Sequence, residues 1–219
     1  MNKAVAFLKK RMEFEPESIT DIEIRTIRIS DIRDKEKFLL DSVGRQRREK
    51  ALRFHYADDR LRCLAAGYLM KQYLPGFSEK LIAVGRDGKP FLPGGVPFSI
   101  SHGGNYAVLA WCEGAEGVGV DVEPIRDMEY YRPILPHFMT VRERSETGGD
   151  ARKAVCIWTR KESLYKCVGE GISDFSELPE VLEDNVNFCG MSCRLKSWEK
   201  EGHIFSVVTA YSIKILQTY

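Results

Sequence analysis

No run of about 18 apolar residues occurs in the 219-residue chain, so no transmembrane helix is expected. Charge of one sign is also scarce in the balance. The formal net charge is +1, and no global field marks the chain as a nucleic-acid binder. Neither a Walker loop (G-x-x-x-x-G-K-S/T) nor a G-x-G-x-x-G fingerprint is present, which excludes the common nucleotide cradles. Met1–Glu15 mixes Lys, Arg and Glu too closely to leave the apolar core of a signal peptide, so the expectation is a soluble, cytoplasmic protein. Six cysteines (Cys63, Cys112, Cys156, Cys167, Cys189 and Cys193) lie scattered among apolar neighbours and read as reduced core thiols. The Cys189/Cys193 pair lacks a second pair at zinc-finger spacing, so a zinc site is not expected. Internal repeats and low-complexity segments are missing too.

What is there suits a globular chain, with 43% hydrophobic and 30% charged residues and length for one large domain or two small ones. Charge is unevenly spread: Arg45 to Arg62 holds seven basic residues against three acids. The isoleucines at 22, 24, 27 and 29 predict a strand with a break in register near Thr26. Asp31 to Leu40 and Arg45 to Leu52 read as helices. Asp58 to Leu74 is a stronger one, capped by Asp58 or Asp59 and stopped at Pro75-Gly76. Arg60 and Arg62 in its first turn oppose the helix dipole, which an anion bound there would explain. Strands are expected at 98–101 and 106–112 around a tight His102-Gly103-Gly104-Asn105 segment. A capping box, Thr140 to Glu143, predicts a short helix cut at Gly148-Gly149. Asp150 caps the next helix, Ala151 to Val168, whose end is marked by Gly169 and Gly171. The tail (181–188, 193–198, 204–215) reads as an antiparallel meander. Helices with mostly sequential strands give an α+β fold.

One stretch organises the chemistry. In Gly117-Val118-Gly119-Val120-Asp121-Val122-Glu123, read as a strand, the valines share a core face. Two glycines and two acids share the other. Acids two apart lie about 6–7 Å from each other, close enough to converge on one Mg²⁺-sized ion. A half-buried strand with valine inward and acid outward has the same pattern. On the 151–168 helix, Trp158, Glu162 and Lys166 are spaced four apart on one face. That is either an ordinary Glu–Lys pair or a third oxygen ligand with a phosphate-facing cation. In Phe98-Ser99-Ile100-Ser101-His102, Phe98 and Ile100 face the core and the serines the other side. Gly88-Lys89-Pro90 holds a lysine on a stiff turn. Arg47, Lys50, Arg62, Lys89, His102 and Lys166 together would suit a small polyanion with more than one phosphate.

These motifs, in this order between about residues 45 and 171, resemble the 4′-phosphopantetheinyl transferases of the longer, surfactin-synthetase-activating type. The family's G-x-D-x-E is similar to Gly119–Glu123, its W-x-x-K-E-S-x-x-K to Trp158–Lys166, its G-K-P to Gly88–Pro90, and its S-I-S-H to Ser99–His102. The basic segment Arg48-Glu49-Lys50 with Arg53-Phe54 and Asp59 to Arg62 also matches. The resemblance implies a pseudo-dimeric α+β fold with two similar halves, 1–112 and 113–219, a monomer binding coenzyme A between them.

It further implies that Asp121, Glu123 and Glu162 hold Mg²⁺ (or Mn²⁺) against the coenzyme's diphosphate, with Lys166 facing the same group. Arg47, Lys50, Arg62 and His102 would surround the 3′-phosphate, and Lys89 and Ser101 would complete the pocket. Glu143, in Phe138–Glu143, matches the family's candidate general base. The implied reaction moves the phosphopantetheine arm to a serine of an acyl- or peptidyl-carrier protein and releases 3′,5′-adenosine diphosphate. Neither nucleic acid nor membrane is an expected partner. Two departures stand out: Met139 replaces a commoner Phe, and Cys63 stands where a hydroxyl is frequent. A non-catalytic coenzyme A- or carrier-binding module and a metal-dependent phosphohydrolase are the alternatives.

Overall fold

The computed structural model describes residues 22–85, 88–168 and 175–213. The chain enters on β1 (Ile22–Arg28). It passes a 3₁₀ turn (Ile29–Lys35) into α1 (Glu36–Ser42), α2 (Arg45–Leu52) and the long α3 (Ala57–Tyr73). Next come a small hairpin, β2 (Ala83–Val84) with β3 (Pro90–Phe91), and then β4 (Phe98–Gly103), β5 (Tyr106–Cys112) and β6 (Gly117–Pro124). Short helices α4 (Met128–Tyr131), α5 (Leu135–Phe138) and α6 (Val141–Thr147) lead to the long α7 (Ala151–Val168). The meander β7 (Asn185–Phe188), β8 (Met191–Lys200) and β9 (His203–Ser212) closes the described chain.

Besides the β2–β3 hairpin, the described residues form two larger antiparallel sheets, in the orders β1-β5-β4 and β6-β9-β8-β7. Residue parity sorts the central strand β5 cleanly. Ala107, Leu109 and Trp111 join α3 in one core. Val108, Ala110 and Cys112 turn the other way, onto Val118, Val120, Val122 and Phe205 of the second sheet. The far face of that sheet, with Val208, Ala210 and Leu195, is covered by Ala154, Leu164 and Cys167 of α7. The layers are therefore helix, sheet, sheet, helix: two similar α+β halves packed sheet against sheet. This is the pseudo-dimeric arrangement the resemblance implied.

Most predicted elements are present, and the differences have physical reasons. The expected break near Thr26 is absent, because β1 pairs with β5 in continuous register, Thr26 opposite Val108. Ile24 and Ile27 instead face different cores, one on each side of a sheet buried on both faces. Asp58 and Asp59 lie inside the first turn of α3 after Tyr56 at the N-cap, without a side-chain cap. The predicted 31–40 helix begins as 3₁₀ and becomes α only at Glu36. The capping box of α6 is complete, Gly148 ends that helix with φ 56°, and Asp150 Oδ1 accepts from Arg152 N at the head of α7. Arg86, Asp87, Gly169 and Gly171 lie outside the described residues, as do Met1–Glu15 and Lys214-Ile215.

Candidate functional site

Strand β6 enters the site with both faces occupied. Its valines fill the inter-sheet core; its glycines lie under α7. A Cβ at Gly119 would stand 1.8 Å from the Ser163 carbonyl oxygen and one at Gly117 2.7 Å from that of Cys167, so only glycine lets helix and strand approach this closely. The acid face is therefore a core face as well, contrary to the reading that left it open, and Asp121 is 3% exposed. Thr159 and Ser163 fix α7 along the neighbouring strand: Thr159 Oγ1 meets Ser206 Oγ at 2.7 Å, and Ser163 donates to the Ser206 carbonyl.

Strand β4 runs beside β6 in the same direction without ladder pairing. Ser99 Oγ accepts from Val120 N, Ser101 Oγ donates to Asp121 Oδ1 at 2.7 Å, and Lys89 Nζ donates to the Val118 carbonyl at 3.1 Å. Gly103 is obligatory here too, since a Cβ would meet the Val122 oxygen at 2.1 Å. The serine face of β4 thus satisfies the open edge of β6 and brings Ser101 to Asp121.

Lys166 reaches the same place from α7, 2.6 Å from Asp121 Oδ1, 3.2 Å from Ser101 Oγ and 3.6 Å from Glu162 Oε2. Asp121 Oδ2 is buried with no hydrogen-bond partner among the described residues. Burial, then the Asp121 charge, pushes Glu123 up to about 7, with Lys166 opposing and Glu162 adding. Glu162 is likewise raised, by burial first, against the pull of Lys166. Burial works against the Lys166 charge, but Asp121 and then Glu162 outweigh it and its pKa rises. Three carboxylates thus crowd around one ammonium. Among the described residues no three acidic, His or Cys side chains stand close enough to clasp a metal ion as they are. The surplus of negative charge and the orphaned Oδ2 nonetheless suit a hard divalent cation.

A cationic rim adjoins this cluster. His102 follows Ser101, exposed on the opposite face of β4. Partial desolvation of its ring by the neighbouring protein, then Arg62, Lys166 and Arg47, hold its pKa below the ordinary histidine value. Arg47 crosses α3 over Gly67, where a Cβ would be 2.6 Å from its Cγ, and its Nη1 points to Cys63 Sγ at 4.0 Å. Arg62 donates to the Gly104 carbonyl at 2.6 Å and pairs with Asp59. Lys50 is exposed and, with Arg47, Gly88, Pro90 and Ile100, lines a cavity of about 210 Å³. Arg60 pairs with Glu36, so a protein carboxylate meets the charge from which an anion was inferred at that helix start.

Glu143 stands apart from all of these. It is fully buried, 3.0 Å from Lys161 Nζ, and accepts from Thr140 N (2.8 Å) and Val181 N (3.0 Å). A fully buried carboxylate with both oxygens already engaged, one of them in an ion pair, has no access to a substrate, so the general-base reading does not suit this geometry. Lys161, its partner, was passed over in the sequence because a helical lysine is ordinarily solvated. The Glu-to-Lys reach across 18 residues leaves no local pattern.

Residues 117–213, the segment carrying β6, α7 and the meander, match the model of the 4′-phosphopantetheinyl transferase superfamily. The chain is 26% identical over 147 residues to 4′-phosphopantetheinyl transferase ffp of Bacillus subtilis, covering 62% of this chain and 64% of the relative. It is 26% identical over 152 residues to 4′-phosphopantetheinyl transferase Sfp of Bacillus subtilis (strain 168), covering 64% and 66%. To 4′-phosphopantetheinyl transferase HetI of Nostoc sp. it is 26% identical over 148 residues, covering 61% and 62%. The matched region spans just under two thirds of each relative's length. Over the segment that carries β6 and α7, the chain is therefore similar to the 4′-phosphopantetheinyl transferase superfamily.

Proposed function

We propose that this protein transfers the 4′-phosphopantetheine arm of coenzyme A to a serine of an acyl- or peptidyl-carrier protein. The observation that carries the reading is Asp121. One of its oxygens is held by Ser101 and Lys166; the other is buried and open beside two carboxylates whose charge is unfavourable there. Asp121, Glu123 and Glu162 would hold Mg²⁺, or Mn²⁺ in its place. When bound, the metal neutralises the coenzyme's diphosphate and favours attack at phosphorus.

The chain's own groups do the rest. Lys166 offers an ammonium to the diphosphate, while Arg47, Lys50, Arg62 and His102 take the 3′-phosphate and Lys89 and Ser101 border the coenzyme. The carrier serine oxygen bonds to the β-phosphorus, the bond from that phosphorus to the bridging oxygen breaks, and 3′,5′-adenosine diphosphate departs. With Glu143 locked in its ion pair, Glu162 is the carboxylate we assign to take the serine proton. Residues 1–112 form the half carrying the coenzyme's phosphate contacts and 113–219 the half carrying the metal ligands, in a cytoplasmic monomer. Among the described residues no helix is long and apolar enough to cross a membrane. Mass spectrometry of apo carrier proteins incubated with coenzyme A and Mg²⁺ tests the reading. A phosphopantetheine adduct on the carrier is expected. Failure across several carriers overturns it, and consumption of coenzyme A without a carrier points to a phosphohydrolase.

A further inference from the structure

The turn between β4 and β5 is gripped from the other half of the molecule, and one peptide unit is the point of contact. The Gly104 carbonyl accepts from Arg62 Nη1 at 2.6 Å, and the Asn105 N–H of the same peptide plane donates to His203 Nε2 at 3.0 Å. Because Nε2 accepts, the ring proton sits on Nδ1, which donates to the Glu201 carbonyl at 2.9 Å. A chain of polarised hydrogen bonds therefore runs from the Arg62 guanidinium through one peptide to the head of β9. His203 is 9% exposed and packs edge-on against Tyr106, ring centroids 5.0 Å apart. The fit tolerates no side chain at Gly104: its φ is 49°, and a Cβ would fall 2.3 Å from His203 Nε2. The β8–β9 turn is held down as well. Glu201, in the left-handed region at φ 48°, takes hydrogen bonds from the Tyr106 hydroxyl and Arg28.

We infer that His203 is a positioning residue for coenzyme recognition: through the Gly104–Asn105 peptide it sets the orientation in which Arg62 and His102 meet the 3′-phosphate. The inference rests on the functional reading above, and it places the control of a phosphate contact in the half that does not carry it. Removing the acceptor frees the peptide to rotate and loosens Arg62 and His102 together, leaving the diphosphate cluster around Asp121 as it was.

The test compares calorimetric binding of coenzyme A and 3′-dephospho-coenzyme A to the wild-type protein, His203→Phe and His203→Gln. Phenylalanine keeps the packing on Tyr106 and deletes the acceptor; glutamine restores an acceptor. Wild type should prefer coenzyme A. His203→Phe should weaken coenzyme A by about tenfold, the scale of one misplaced charged hydrogen bond, with 3′-dephospho-coenzyme A unchanged. His203→Gln should recover most of the preference. Equal discrimination in wild type and His203→Phe, or equal losses for both ligands, overturns the inference alone. A wild type that binds both ligands equally well overturns it too. A wild type that binds neither ligand overturns the functional reading and the inference with it.

Discussion

Helix α7 meets carboxylates through two lysines, and the two meetings differ in charge balance. On one side Lys161 and Glu143 form a buried pair, 1% and 0% exposed, in which a backbone N–H donates to each carboxylate oxygen. On the other, Lys166 faces Asp121 and Glu162 with Glu123 beside them, and one Asp121 oxygen has no partner among the described residues. The first is balanced and closed, as a structural pair must be when charges leave water. The second carries surplus negative charge in a partly desolvated place, which raises Glu123 and Glu162 and invites another cation. The same residue types five positions apart on one helix thus serve a joint and a site. Their neighbours, not their identity, separate the two.

The largest effect should come from the unbalanced side. Asp121→Asn removes a metal-seeking oxygen while keeping shape and the Ser101 contact. Transfer should fall by at least ~10³-fold, reflecting lost charge stabilisation of several kcal/mol. Circular dichroism and urea unfolding should show a fold as stable as wild type. Substantial activity in that variant would remove Asp121 from the metal set. On the balanced side, Glu143→Gln strands the Lys161 ammonium and should destabilise the protein by about 3 kcal/mol, read from denaturant unfolding. Turnover per folded molecule should drop far less than in Asp121→Asn. Abolished turnover at wild-type stability would make Glu143 a base after all and erase the contrast.

The smallest effect is in pH. Partial desolvation of the ring first, then Arg62, Lys166 and Arg47, depress His102 in the free protein. A phosphate bound among these cations reverses their effect, so the pKa is higher in the complex than in the free state. A group with that sign takes up a proton on binding, and coenzyme A affinity should rise as pH falls, levelling off below the free-state pKa. Calorimetry between pH 8 and 6 should show a few-fold gain in wild type and a flat profile in His102→Asn. A flat wild-type profile would place the phosphate away from His102.

Local signals were legible where one segment settles its own structure. The capping box at Thr140–Glu143, Asp150 at the head of α7, and the valine–glycine alternation of β6 all appear where short-range physics puts them. Proximity across the chain was not legible. That the β4–β5 turn rests on His203, that Ser99 closes the edge of β6, and that Glu143 faces Lys161 are contacts between residues 98, 21 and 18 positions apart, with no periodicity to announce them. A break was read into β1 because alternating isoleucines look out of phase when both faces of a strand are buried.

By itself, then, the sequence determined which side chains share a strand or helix face, and its ordered motifs carried the resemblance to the 4′-phosphopantetheinyl transferases. Spacing along one element is dictated by backbone geometry. Only the tertiary structure decided that α7 lies so close on β6 that Gly117 and Gly119 cannot be replaced, that Lys166 sits among the carboxylates, and that Glu143 is shut away from them. Those outcomes depend on how two sheets and a helix pack at long range, where desolvation and charge balance choose among contacts that local chemistry leaves equal.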